Sequence, residues 1–96
     1  MTKEKLGKAV LVTTAHRGVF FGYLNGKPPA KESVTLARAR NCLYWSADVG
    51  GFLGLASRGP SSSCKLGAWA EGVTLYDVTS VSDVSNEAAK AWESAK

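Results

Sequence analysis

Histidine and cysteine are scarce in this chain of 96 residues, which has only His16, Cys42 and Cys64. Two thiols and one imidazole cannot build a structural zinc site without carboxylates or a second chain. His16 falls in a predicted turn, and acid–base catalysis there would need a carboxylate brought to it by the fold. Asp48, Asp77 and Asp83 have no spacing that selects one of them. Ser61, Ser62 and Ser63 lack the strand-to-helix elbow of a hydrolase serine. Cys42 follows Arg40 closely, which favours a thiolate, but no base accompanies it and a buried thiol fits better. No carboxylate pair suggests glycosidase or metal chemistry. A non-enzymatic protein without metal or cofactor is expected.

Long apolar runs are missing as well. Nothing approaches the roughly 20 residues of a membrane span, and Met1-Thr-Lys-Glu-Lys5 has no apolar signal-peptide core. The expectation is a cytoplasmic protein with reduced thiols and no membrane contact. Charge of one sign is also in short supply: 12 Lys and Arg stand against 8 Asp and Glu, a net charge of +4. Several of those lysines (Lys3, Lys5, Lys8) lie near the N-terminus. Duplex-nucleic-acid binders carry a denser basic stripe, so nucleic acid is not the expected main partner.

What is present is a folding composition, 45% apolar with nine aromatics, in a length that fits one domain over residues 1–96 with a flexible tail at 1–7. Lys8–Thr14 is rich in β-branched residues and reads as a strand. Ala15–Gly18 reads as a turn, followed by a strand at Val19–Leu24 that is apolar on both faces. Val19, Phe21 and Tyr23 share one face, Phe20, Gly22 and Leu24 the other. Asn25-Gly-Lys-Pro-Pro29 is loop chemistry. A third strand runs from about Glu32 to Ala37, with Val34 and Leu36 inward. Continued parity would bury Arg38 and Arg40, whereas the apolar parity resumes out of phase at Leu43 and Trp45. A bulge, bend or turn near Arg38–Asn41 must absorb a residue, which places both arginines at a corner or rim.

The stretch from Asp48 to Pro60 predicts a short helix, capped by Asp48 or Gly50, with Phe52, Leu55 and Ala56 buried and Gly59-Pro60 ending it. Ser61–Lys65 reads as a flexible loop, Gly72–Val78 as a strand, and Thr79–Val84 as a short one. Ser85-Asn-Glu87 starts a C-terminal helix with Ala88, Ala91, Trp92 and Ala95 on one face. The fold class is mainly β (α+β): a small antiparallel sheet or half-open barrel with one short internal helix and a C-terminal helix. Open sheet edges need protection, and a homo-oligomer is the expected means.

The segment Leu36-Ala-Arg-Ala-Arg-Asn-Cys-Leu-Tyr-Trp45, followed by the glycine run Asp48–Ala56, concentrates the residue types that grip phosphates, bases and proteins. As a binding site, Arg38 and Arg40 would hold phosphate, Asn41 would read an edge, and Tyr44 or Trp45 would stack on a base. Gly50 and Gly51 would offer backbone donors, with Arg58 as a second cation. As pure structure, the same segment is a corner between strands with Tyr44 and Trp45 in the core, and the glycines permit close packing.

Four patterns carry a resemblance: Val12-Thr-Thr…His-Arg-Gly-Val-Phe-Phe-Gly-Tyr23, Leu36–Trp45, Gly54-Leu-Ala…Gly-Pro60, and Val78-Thr-Ser-Val…Ala88…Trp92. Together they resemble a family of small tailed-phage and prophage proteins, a domain of unknown function. The resemblance implies expression in an infected bacterial cell and action in the host cytoplasm. Small accessory phage proteins often oppose host defences, for example by sequestering immune signalling nucleotides between subunits of a small oligomer, an analogy of role rather than sequence. The first expectation is therefore an anti-defence protein that sequesters a nucleotide-like anion in an oligomer. The alternatives are an interaction module that inhibits a host protein, and a weak single-stranded nucleic-acid binder using this patch as its groove.

Overall fold

A computed structural model describes residues 7–15, 18–25, 32–45 and 49–95, with the backbone alone for Phe52. The N-terminal tail to residue 6, the turn residues His16 and Arg17, most of the proline loop and the proposed cap Asp48 lie outside these segments. In chain order the elements are β1 (Ala9–Thr14), β2 (Val19–Leu24), β3 (Val34–Tyr44), α1 (Gly51–Ser57), β4 (Lys65–Leu66), β5 (Ala70–Leu75), β6 (Val78–Asp83) and α2 (Asn86–Ser94). The six strands form one antiparallel open sheet. β6, β1, β2 and β3 follow one another across it, and β5 and β4 share the far edge of β3.

β5 and β6 lie at opposite ends of this order, yet only Tyr76 and Asp77 separate them. Two residues span little distance, so the sheet must curl until its edges meet at that turn. Backbone bonds hold the meeting point, from Ala15 N to Asp77 O and from Val78 N to Glu32 O, each 2.9 Å. The curl encloses one apolar cluster of Val10, Val12, Leu36, Ala39 and Leu75, with Phe20, Leu24 and Val78 against it. The outer face carries a second cluster of Leu11, Val19, Phe21 and Cys42, which both helices cover with Leu55, Ala56 and Trp92. The expected two-sided burial of β2 follows, with Phe21 and Tyr23 beneath the helices and Phe20 and Leu24 inside the curl.

β3 departs from expectation. Phe21 pairs with Arg40 and Tyr23 with Ala37, so Arg38 and Ala39 together face Gly22. Arg38 takes φ 52°, a left-handed conformation costing a non-glycine residue about 1 kcal/mol. The bulge is where the parity argument requires it, but the corner is not: the strand continues to Tyr44, and the arginines lie within it rather than at a rim. One left-handed residue absorbs the phase change without breaking the ladder, because β2 pairs on as far as Asn41. Across the bulge Gly22 leaves no spare room, since a Cβ there would lie 3.0 Å from Leu36 Cδ1 and 3.1 Å from Ala39 Cβ.

The helices form as their caps dictate. Ser85 Oγ accepts from Ala88 N at 3.0 Å, starting α2, and Gly50 at φ 82° precedes α1. Trp92, fully buried, stacks on Phe21 with centroids 5.0 Å apart and donates Nε1–H to Leu55 O at 3.1 Å. α2 is thereby fastened to both the sheet and α1. Two expectations need correction. The Ser61–Lys65 loop is a turn, closed by Cys64 N to Ser61 O at 3.0 Å, that delivers β4, a strand too short to show periodicity. The strand expected to run to Val78 breaks at Asp77, itself left-handed at φ 56°.

Two glycines of α1 separate packing from conformation. A Cβ on Gly54 would fall 1.6 Å from Val49 O, whereas one on Gly51 meets nothing within 4 Å but sits at φ 77°. Gly51→Ala should lose about 1–2 kcal/mol in urea unfolding, the cost of the left-handed backbone. Gly54→Ala should lose more than ~2 kcal/mol, although alanine is the better helix former. A gain in stability for Gly54→Ala would contradict the packing of α1 on Val49.

Candidate functional site

The bulge at Arg38 turns Arg40 toward the helices. Arg40 is 6% exposed. Its Nε donates to Gly67 O at 3.1 Å, and its Nη1 to Trp92 O at 3.2 Å and Ala95 O at 3.0 Å. The last two are carbonyls at the C-terminal end of α2, where the helix dipole favours a cation. Burial lowers the Arg40 pKa from its ordinary value, while the nearby Glu93 carboxylate opposes that shift.

Arg38 lies on the same side but stays in water. Its Nη2 meets Glu93 Oε1 at 2.6 Å and its Nε meets Oε2 at 3.1 Å, a bidentate pair of the kind a planar guanidinium makes best. Glu93 Oε2 also accepts from Tyr23 Oη at 2.7 Å. The Arg38 hydrogen bond holds the Glu93 carboxyl below its usual range, with the Tyr23 bond adding to the effect. Both guanidiniums lie over Trp69, with Arg38 Cζ 4.0 Å and Arg40 Cζ 4.8 Å from its ring centroid. Trp69 in turn meets Phe21 edge to face at 6.0 Å. This is a cation–aromatic stack built on the core.

The other proposed site residues lie elsewhere. Asn41 is half-buried; its carbonyl accepts from Gly67 N at 2.8 Å, and its Oδ1 would lie 2.0 Å from a Cβ on Gly67. Tyr44 is exposed, so it is not the core residue of the purely structural reading, whereas Trp45 packs, half-buried, against the helix-covered core. Gly50, Gly51 and Arg58 form a separate corner, where Arg58 Nη2 donates to Val49 O at 3.1 Å. That nitrogen would be 2.8 Å from a Cβ on Gly50. Arg38 and Arg40 thus meet at the Trp69 ring, while Arg58 and Gly50 meet beside Val49.

A cleft of about 420 Å³ is lined by other residues. It opens between the turn after α1 and the end of α2, lined by Ser61, Ser62, Cys64, Leu66, Ala91 and Ser94 among others. Sequence reasoning missed Trp69, Glu93 and Tyr23 as partners of the arginines. Their sequence separations, 55 residues for Arg38 and Glu93, carry no local signal. The one available clue was the parity conflict itself, since an arginine forced inward needs acceptors.

Among the described residues, no group of three or more His, Cys, Asp or Glu could hold a metal ion, and no helix is long and apolar enough to cross a membrane. Fold and site define a small curled antiparallel sheet whose C-terminal helix is locked by an inward arginine. The chain belongs to the family described as a domain of unknown function (DUF6948), whose profile matches residues 7–92. No curated protein matches the chain, and no solved structure does.

The Tyr23–Glu93 bond has a pH signature. Burial first, and the Glu93 hydrogen bond second, push the Tyr23 phenol from 10.0 up to about 12. A raised folded-state pKa gives stability that is complete below the unfolded value and is lost as pH rises through the folded one. The urea midpoint should therefore fall from pH 10 to about 12 more steeply in the wild type than in Tyr23→Phe. Parallel curves for the two proteins would contradict the part-buried phenol–carboxylate bond.

Proposed function

We propose that this chain is a non-catalytic interaction module that docks an acidic protein surface through the free end of β3. The observation that carries this reading is that Leu43 and Tyr44, consecutive in β3, are 63% and 52% exposed. Neighbouring strand residues point to opposite faces, so this end of the strand stands clear of both layers. Pairing with β2 ends at Asn41, and β4 continues beside it through Cys42↔Leu66 and Tyr44↔Lys65. Among the described residues, the other edge of this tab has no strand partner, which leaves backbone groups able to add a strand. Tyrosine is enriched among residues that dominate binding energy. Lys65 beside Tyr44 and the net charge of +4 suit an acidic partner.

In this reading the chain is an accessory protein of a tailed phage or prophage that opposes a host defence by occupying a host protein in the bacterial cytoplasm. The support for that setting is the sequence resemblance described above. Sequestration of a nucleotide-like anion is the second reading. The observation favouring it is the part-exposed Arg38 guanidinium on the face of Trp69, where a phosphate could take the place of the Glu93 carboxylate. It ranks second because Glu93 already fills the Arg38 fork and three carbonyls engage Arg40.

A photoreactive phenylalanine at position 44, compared in bacterial cells with the same residue at exposed Lys90, tests the first reading. Position 44 should give one discrete crosslinked product that position 90 does not. Leu43→Asp should abolish that product while leaving Tm within ~2 °C, as for other surface changes. A product of twice the chain mass would replace the acidic partner with a second copy. No product above that at position 90 would overturn the proposal.

A further inference from the structure

Cys42 and Cys64 are the only cysteines of the chain, and the fold sets both, as free thiols, at one core cluster. The β3–β4 ladder sets Cys42 opposite Leu66, and the Ser61 turn returns Cys64 to the end of that ladder. Cys64 packs against the core cluster in which Cys42 is buried, beside the strand pair that carries Cys42. The two differ in access. Cys42 is 7% exposed and donates its S–H to Tyr44 O at 3.4 Å. Cys64 is half-buried, lines the 420 Å³ cleft, and has Ser61 Oγ at 3.8 Å. One thiol lines the cleft, and the other is buried in the core cluster that the first packs against.

From this arrangement the geometry points to Cys64 as a thiol–disulfide exchange site with Cys42 as its resolving thiol, acting on a small uncharged disulfide that enters the cleft. The cleft lining is hydroxyl, thiol and apolar, with no charged side chain, which suits a neutral reagent. The order of attack follows from access and acidity. Burial, before any other cause, pushes the Cys42 thiol up to about 11, and a thiol in that state is a poor first nucleophile.

The steps balance. Deprotonated Cys64 attacks one sulfur of R–S–S–R; a Cys64–S–R bond forms, the original S–S bond breaks, and the departing thiolate takes up the proton that Cys64 released. Cys42 then gives up its proton and attacks the Cys64 sulfur. The Cys42–Cys64 bond forms as Cys64–S–R breaks, and the second thiolate leaves with that proton. Two protein thiols are oxidised to one disulfide, and one small disulfide is reduced to two thiols. The bond would join β3 to the turn that forms one wall of the cleft. This inference is independent of the docking surface at Leu43 and Tyr44.

The test is to treat the folded protein with hydroxyethyl disulfide and follow intact mass and free thiols. The wild type should lose two hydrogens, retain no adduct and remain a monomer. Cys42→Ser should stop at one stable mixed disulfide on Cys64, and Cys42→Ala provides the same readout if the buried serine disturbs folding. Cys64→Ser should react at least ~10-fold more slowly than the wild type. Three results would overturn the inference: a stable mixed disulfide on the wild type, a disulfide-linked dimer, or Cys64→Ser reacting as fast as the wild type.

Discussion

A guanidinium held out of water organises the outer face of this protein. Arg40 reaches from the middle of β3 to three carbonyls on two other segments, Gly67 on one side and Trp92 and Ala95 on the other. A buried charge is tolerable only when its hydrogen-bonding capacity is met, so these acceptors must remain in place while the fold persists. That requirement fixes where α2 ends and how the segment between β4 and β5 runs. Trp69, carried by that segment, then meets both Arg38 and Arg40 at its ring. Trp92 stacked on Phe21 supplies the apolar half of the same attachment. The helix is held to the sheet by packing along its length and by a cation at its end.

The device that makes this possible is one left-handed residue. Without the bulge, the parity of Val34 and Leu36 would send Arg38 and Arg40 into the curl among Val10, Val12 and Leu75. With it, Ala39 takes the inner position and Arg40 the outer one. The same shift puts Cys42 under the helices and frees the end of β3 from both layers. The inward arginine, the buried Cys42 thiol and the exposed Leu43–Tyr44 tab are thus three consequences of one local irregularity.

This explains what could be read from the sequence. Strands β1 and β2, both helices, the Ser85 cap and the existence of a bulge follow from periodicity and capping, which are local rules. The curl is not local: it depends on β5 and β6 being joined by two residues while pairing at opposite edges. The candidate site was legible as a concentration of arginines and aromatics but not as an arrangement. Composition gives Arg40 as a cation and says nothing of the carbonyls on distant segments that engage it. Tyr44 and Trp45 are adjacent and chemically alike, and only the tertiary fold decides that one is exposed and the other packed.

The central claim is that Arg40 is an internal strut, which directs the search for function to the end of β3. The most direct measurement is solvent exchange of the arginine Nε protons by nuclear magnetic resonance. Arg40 Hε, bonded to Gly67 O beneath the helix end, should exchange far more slowly than Arg58 Hε and show contacts to Trp69. Exchange of Arg40 Hε as fast as that of Arg58 would mean that the guanidinium is free in solution, and the account of the outer face would fail.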